Sequence, residues 1–503
     1  MAPLFSNLSD AIFYWARERP ETTAIRERDA AISYGELATL VGRAAVHLRD
    51  LGVKPGELVA LTLPPNAPHL ILLFALLRIG AIPVDAPLRA PAPLDTHKLF
   101  GVNRMIAPPG IEAPEGVTVH RLDGAWKDAI STKSGDFRHP GPPDYQLIFS
   151  LSSGSTGAPK GVVTTMREWN ERFRSAAALL PEIIDPARPP TLLALGEMSF
   201  SGFFFFIANQ LCVGGPIVML GLAPSVGSLI EEINKHDDTV FLVTPPMVRE
   251  FIAKAREGET LLPKTRAFVV GGATLHEQEK SLVRERVAKT LIEVYGNAAT
   301  GFITALRAPE MERHGASVGR VAPGLAVDIV DERGRLAPPG AVGVVRCRGS
   351  GVSQRFLVPQ GSTPGDAEGL REGSYYPGDV GLIDVNGYLH LRGRTVDVIK
   401  RGGANLYPAE IEGVLLTSPL VAEAAVFGVP RDGAEPSVAA VLVARGEPDL
   451  EAVAQHCRER LPPEKLPNQL FWIDALPKVG PGKIDTAALR AQVAAKLTAA
   501  PAS

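Results

Sequence analysis

Cysteine is scarce, with three in 503 residues, and Cys212, Cys347 and Cys457 stand far apart and odd in number. Such spacing offers neither a disulfide framework nor the paired ligands of a zinc site, and it fits a reducing, cytoplasmic setting. Neither sign of charge is in excess, since 52 Lys and Arg against 55 Asp and Glu leave a formal net charge of -3. No general field draws the chain to nucleic acid, and an anionic ligand has to be held by a local site. The opening stretch MAPLFSNLSDAIFYWARERP lacks a basic segment followed by an apolar run, so no secretory signal is expected. An unbroken membrane-length apolar run is missing too. The greasiest window, Phe203 to Ala223, is divided by Asn209, Gln210 and Gly214-Gly215-Pro216, which predicts a buried helix followed by a buried strand. No internal repeat is visible.

What the chain does have is apolar substance, 45% against 21% charged, enough for a large core. At roughly 150 residues per domain the length allows about two to four compact units. Up to about residue 140, helical stretches alternate with short apolar runs: YGELATLVGRAAVHLRDLG, LVALTLP, HLILLFALLRIG, AIPVDAP. The rhythm returns in TLLALG, PIVML, TVFLVT and AFVVGG. Helices separated by short strands, with Gly and Pro at the joints, predict an α/β fold with parallel strands. From Ala316 the texture becomes short β-like runs with turn signals, and Val385-Asn386-Gly387 between two alternating segments reads as a hairpin. The fold class expected is α/β, a large N-terminal lobe of mixed sheets with helices (1–394) and a small α+β C-terminal domain (395–503). The tail after Arg490 is expected to fray.

The strongest local signal is LIFSLSSGSTGAPKGVV, a strand running into a loop of Ser152, Ser153, Gly154, Ser155, Thr156, Gly157 and, further on, Lys160. Small residues let successive backbone N–H groups turn inward around an anion, hydroxyls add donors, and Lys160 adds a full charge. An ordinary Gly-Ser turn has the same composition, and the spacing departs from the GxxxxGK[ST] loop of classical NTPases.

SSGSTGAPKG resembles the signature loop of the adenylate-forming superfamily, which includes acyl- and aryl-CoA synthetases, peptide-synthetase adenylation domains and luciferases. Further resemblances follow in the superfamily's order: VGGATL at Val270 to Leu275, VYG at Val294 to Gly296, YYPGDVG at Tyr375 to Gly381, LRGRTVDVIKRGGANLYPAEIE at Leu391 to Glu412, and PKVGPGKIDTAALR at Pro477 to Arg490. Upstream, HLILLFALLRIGAIPVDAP resembles the family's helix and strand. Together these span nearly the whole chain after residue 145.

The resemblance implies ATP as substrate with Mg2+, and a nucleotide lodged between the two lobes. It implies that Asp379 accepts hydrogen bonds from the ribose hydroxyls, a task for an acceptor-only group, and that Arg394 contacts the ribose near a hinge. Tyr295, followed by Gly296, is expected to pack on adenine, with Gly271, Gly272 and Ala273 as backbone lying against it where a side chain would block approach. Lys483, in a Gly-Pro-Gly-Lys loop, matches the lysine that bridges the substrate carboxylate and the α-phosphate, two anions whose meeting needs a cation. Lys478 nearby reads as a solvated surface residue.

KRGGANLYPAEIE resembles the acyl- and aryl-CoA synthetases more than the peptide-synthetase domains. Gly402 and Gly403 would admit the pantetheine arm, Lys400 and Arg401 would meet the phosphates of coenzyme A, and a free thiol is the expected acceptor. No carrier domain is expected after Arg490, and whether a carrier protein or other protein partner takes part is left open. Some positions depart from the family. Ala298-Ala299 stand where Thr-Glu is usual, removing a carboxylate that helps hold Mg2+, which leaves phosphates and water to hold the metal. Val396 stands at the usual charged hinge position, and Ser199 where His is common. These departures keep two alternatives: an amide ligase giving the acyl group to an amine, and a nucleotide-binding paralogue with weakened catalysis. For the acyl pocket, Phe200 and Phe203 to Phe206 cannot all face one way on a helix, so most are expected in the core, with Phe203 first choice as lining beside Ser199. No Lys or Arg stands in that stretch, which favours an aromatic, alicyclic or medium-length acid over a dicarboxylic one.

Overall fold

The computed structural model describes residues 3–85, 99–112, 114–141, 146–153, 159–221, 225–358, 369–401, 404–431, 434–479 and 483–499. The density of internal contacts divides the chain into two units, Met1–Val327 with Arg346–Pro377, and Asp328–Val345 with Gly378–Ser503.

The first unit holds two large sheets. Its strands, in chain order, are β1 (Thr23–Glu27), β2 (Ala30–Ser33), β3 (Leu58–Leu61), β4 (Ile82–Asp85), β5 (Arg104–Ala107), β6 (Thr118–Arg121), β7 (Gln146–Ser153), β8 (Pro159–Thr165), β9 (Thr191–Leu195), β10 (Ile217–Gly221), β11 (Thr239–Val243), β12 (Thr265–Val270), β13 (Leu291–Asn297), β14 (Gly301–Arg307) and β15 (Arg320–Val321). One sheet runs β15-β14-β13-β12-β11-β9-β10-β1-β2, and the other runs from the short strand Arg355–Leu357 through β8-β7-β4-β3-β5-β6. Both are parallel in the middle, as the sequence rhythm predicts, and antiparallel at margins such as β1/β2, β13/β14 and β7/β8. The central strands are apolar on both faces, and β11 is buried at every position, because helices cover each side.

Two of the covering helices are apolar all round. Ala67–Ile79 starts at Asn66, whose side chain accepts from His69 N at 3.0 Å, and stops at left-handed Gly80. Ser201–Val213 and β10 are the buried helix and strand predicted for the greasiest window. Gly214 ends that helix at φ +74, and a Cβ there would lie 2.6 Å from the Trp15 ring, so only glycine fits. Both helices feed one core cluster with Leu37, Val41, Leu48 and Trp169. Among the described residues no helix is long and apolar enough to cross a membrane.

In the second unit, Asp379–Ile383 and Leu389–Arg394 form the hairpin that Asn386-Gly387 predicts, with Gly387 at φ +80 and Asp384 Oδ1 accepting from Asn386 N and Tyr388 N. Further along, Val421–Arg431 and Ala434–Ala444 pair antiparallel, and Gln469–Trp472 adds in parallel. Alternation covers both faces of this sheet. Ala424, Val426, Val438, Ala440 and Leu442 pack with helices Pro408–Leu416 and Leu450–Arg458, while Ala425, Phe427, Ala439 and Val441 pack with Leu489 and Val493 of helix Thr486–Ala499.

Candidate active site

Antiparallel pairing sets β7 and β8 so that Ser152 lies opposite Lys160 and Ser153 opposite Pro159. Gly154, Ser155, Thr156 and Gly157, between the two strands, lie outside the described residues. Lys160 is buried, 5% exposed, at the start of β8. A buried ammonium on the strand leading out of a hydroxyl-rich loop suits an anion better than it suits bulk water.

At the carboxyl end of β12, Gly271 N donates to Val243 O at 3.1 Å. A Cβ on Gly271 would come within 2.9 Å of Val294 Cγ2 and 3.1 Å of Val294 O. Gly272 is left-handed at φ +92 with the Phe200 ring against it, and Gly272 and Ala273 are exposed. One strand over, Tyr295 pairs with Thr304, and a Cβ on Gly296 would sit 2.3 Å from Gly301 O. Bare backbone at 271–273 and the partly exposed ring of Tyr295 thus lie at neighbouring strand ends, a platform on which a flat ring can rest. In open α/β sheets ligands gather at such carboxyl ends.

The aromatic run divides as helical geometry demands. Phe204, Phe205 and Phe206 are buried against Trp169 and Phe302, while Phe200 and Phe203 remain partly exposed and meet edge to face at 5.2 Å. Gly196, left-handed at φ +84, leaves room for the Phe203 ring. Ser199 Oγ donates to Glu197 Oε2 at 3.4 Å. Asp85, at the end of β4, has its carboxyl held well above the usual range by burial and, secondarily, by the charge of Glu197. His69 Nε2 lies 3.5 Å from Asp85 Oδ2, and burial lowers the imidazole to about 4. Sequence reasoning passed over His69, Asp85 and Glu197, because nothing in their spacing shows that three separate segments converge.

It also passed over Arg172. This buried guanidinium in helix Met166–Leu179 donates to Gly351 O, Thr164 Oγ1, Ala298 O, Ala299 O and Ser353 Oγ, at 2.6 to 3.2 Å. Burial lowers it to about 10, opposed by the charge of Glu168, so it stays charged at neutral pH. Ala299 is itself buried, and among the described residues no group of His, Cys, Asp or Glu is placed to hold a metal ion. Among the described residues, then, no carboxylate cradle for Mg2+ is seen.

Within the second unit, Asp379 and Arg394 are cross-strand partners, with Arg394 Nε 3.3 Å from Asp379 Oδ1. Gly378, at φ +81, lets the guanidinium pass, since a Cβ there would meet Arg394 Nη2 at 3.1 Å. Lys400 is exposed, 3.6 Å from Glu332, whereas Arg401 donates to Leu466 O and Asn468 Oδ1. Gly402 and Gly403 lie outside the described residues. The backbone of Lys483 pairs with Val479 in a two-stranded ribbon, while its side chain lies outside what is described. Lys478, the expected surface residue, pairs with Glu423 at 2.8 Å. Val396 is 57% exposed.

A two-sheet α/β unit with this glycine platform and hydroxyl-rich hairpin, followed by a small α+β unit, defines the class of AMP-forming, adenylate-forming enzymes. The chain belongs to the AMP-binding enzyme family: that family's model matches residues 12–357, and the model of the AMP-binding enzyme C-terminal domain matches 410–483. It is similar over nearly its whole length to curated acid–CoA ligases, among them a feruloyl-CoA synthase of Amycolatopsis (30% identical, 93% of this chain and 95% of that one). An indoleacetate–CoA ligase of Aromatoleum aromaticum is 31% identical over 97% and 98% of the two chains. Among solved structures, ATP-bound MatB from Rhodopseudomonas palustris superposes with a TM-score of 0.86 at 24% identity, covering 98% and 99%. The amide bond synthetase McbA from Marinactinospora thermotolerans gives 0.83 at 23%, covering 96% and 99%. These two share the fold. The protein is an enzyme of the AMP-forming acid–CoA ligase type.

Proposed function

We propose that the protein activates a hydrophobic, aromatic or alicyclic carboxylic acid as its acyl-adenylate and passes the acyl group to coenzyme A. In the first step a carboxylate oxygen attacks the α-phosphorus of ATP, and pyrophosphate leaves. In the second the thiol sulfur attacks the acyl carbonyl, and AMP leaves. Lys160 and the backbone of 152–157 hold the phosphates, Tyr295 and Gly271–Ala273 take the adenine, Asp379 and Arg394 take the ribose, and Lys483 bridges the reacting anions. Lys400, Arg401, Gly402 and Gly403 serve the coenzyme, and residues 395–503 act as the separate catalytic domain. Mg2+ travels with the phosphates, and the reaction is cytoplasmic.

One observation carries the choice of acid. Phe200 stands against Gly272 of the adenine platform with Phe203 at its edge, so the acyl group next to the adenylate meets aromatic faces. Glu197, hydrogen-bonded to Ser199, sets a carboxylate beside this wall, which disfavours a second carboxylate on the substrate. Pyrophosphate–ATP exchange across a panel of acids is the test, and exchange driven best by aryl or alicyclic acids is the expected outcome. Malonate or succinate outperforming every hydrophobic acid would sink the reading of the pocket. Product formation with amines but not with coenzyme A would replace the second step by amide ligation, and absence of exchange with every acid would leave only a nucleotide binder.

A further inference from the structure

We propose that Arg172 is a positioning residue for ATP, clamping the hairpin that carries Lys160 to the turn that follows Tyr295 so that the phosphate and adenine elements keep one spacing. The inference rests on the adenylation reading and adds to it a residue outside every motif that led there.

Helix Met166–Leu179 continues directly from β8, so whatever holds its first turns also holds the Lys160 strand. Thr165 caps it, with Glu168 Oε2 accepting from Thr165 N at 2.8 Å, and Glu168 Oε1 reaches across to Gln354 N at 3.1 Å. One turn later Arg172 spends its donors on three separate elements: Thr164 of β8, the carbonyls of Ala298 and Ala299, and Gly351 with Ser353. A guanidinium has five N–H donors, and the structure gives it five acceptors. Within the turn itself, Asn297 Oδ1 accepts from Ala299 N at 2.9 Å and Thr300 N at 3.1 Å. The 297–300 turn is therefore held both by its own Asn297 and by Arg172.

The slot is shaped for arginine. A Cβ at Gly301 would lie 3.2 Å from Arg172 Cδ, and a Cβ at Gly351 would lie 3.2 Å from Arg172 Cγ, so two glycines form walls along the stem. Burying a charge among neutral carbonyls costs more than filling the space with an apolar side chain would. What the guanidinium contributes is a fixed geometry among three elements, two of which carry the proposed adenine and phosphate groups. An ammonium has three donors on a flexible stem and cannot span the same acceptors.

A general packing defect would weaken every nucleotide alike, whereas a lost spacing penalises only a ligand that must touch both elements. Titration calorimetry of full-length wild type, Arg172→Met, Arg172→Lys and Ser353→Ala with ATP and with adenosine separates the two. In Arg172→Met, ATP affinity should fall about 10- to 100-fold, the scale of losing a well-placed hydrogen bond to a charged group, while adenosine affinity stays within about threefold. Arg172→Lys should recover little, and Ser353→Ala, which removes one of five acceptors, should show the same preferential loss at about threefold. Equal weakening of ATP and adenosine in a variant that melts cooperatively, or unchanged ATP affinity, overturns the clamp. If Arg172→Met does not fold, an unchanged ATP-to-adenosine ratio in Ser353→Ala overturns it instead. Wild type that binds no ATP would remove the adenylation reading, and the clamp with it, so the two failures are told apart.

Discussion

In the proposed mechanism Lys483 and Lys160 both serve the adenylation step, which joins two anions, and neither is needed for the thiol step. A carboxylate approaching a polyphosphate needs a cation between them, whereas a thiol attacking a neutral acyl carbonyl does not. Lys483→Ala should therefore lose adenylate formation by at least about a hundredfold, the scale seen when one positioned electrostatic donor is removed. With chemically supplied acyl-adenylate and coenzyme A it should still make thioester at a near-normal rate. Equal loss in both half-reactions with the fold intact would refute that division. Lys160 is buried at the start of β8, and on the proposed reading Lys160→Ala removes one full charge near the phosphates. Its effect should appear as a raised KM for ATP, and unchanged adenylation kinetics with poor binding of coenzyme A would reassign the loop. Gly296 tests the platform by shape alone: Gly296→Ala forces a Cβ to within 2.3 Å of Gly301 O, and the hairpin has to open. Such overpacking typically costs about 1–3 kcal/mol, to be read as a lowered melting midpoint together with weaker ATP binding.

At the scale of elements, helix Pro408–Leu416 lies against strand Val421–Arg431, and Glu412 of the helix accepts from Val426 N at 2.8 Å. Burial pushes the Glu412 carboxyl from 4.5 up to about 7, opposed by the Val426 hydrogen bond and assisted by the charge of Asp397. The folded state thus keeps a proton that the unfolded chain gives up. Stability from this group is complete below about pH 4.5 and is lost as pH rises through about 7. Glutamine keeps the acceptor for Val426 N and cannot ionise. Glu412→Gln should therefore flatten the decline between those limits and stabilise the second unit at pH 8, by on the order of 2 kcal/mol. Denaturant melts at pH 5 and pH 8 decide it, and a variant less stable than wild type at pH 8 would show that the carboxyl is ionised and well served where it is.

For the whole molecule, the proposed division at residue 394 concerns where the catalytic C-terminal part begins, whereas contact density groups 328–345 and 378–394 with it. Limited proteolysis separates the two descriptions. Val396 is exposed in a one-turn helix between two hairpins, and cleavage there should leave a protease-resistant fragment ending near that point. A large fragment that is degraded back to about residue 377 would place the beginning of the second unit upstream.

The sequence by itself determined the class, because the motifs that carry it are local. A glycine platform, a hydroxyl-rich turn, an Asn-Gly hairpin and alternating apolar strands each act within a few residues of chain, and their order along the chain survives without coordinates. It also indicated that the run Phe203 to Phe206 must split, since a helix turns about 100° per residue. Tertiary structure alone decided which rings stay partly exposed, that Asp85, Glu197 and His69 converge from a strand, a turn and a helix, and that Arg172 answers five acceptors on three elements. An arginine in the second turn of a helix reads as solvated until its partners are seen. The reason is physical: a buried polar group is defined by acceptors that other parts of the chain bring to it, Gly351 and Ser353 from about 180 residues away. No spacing within the helix records them.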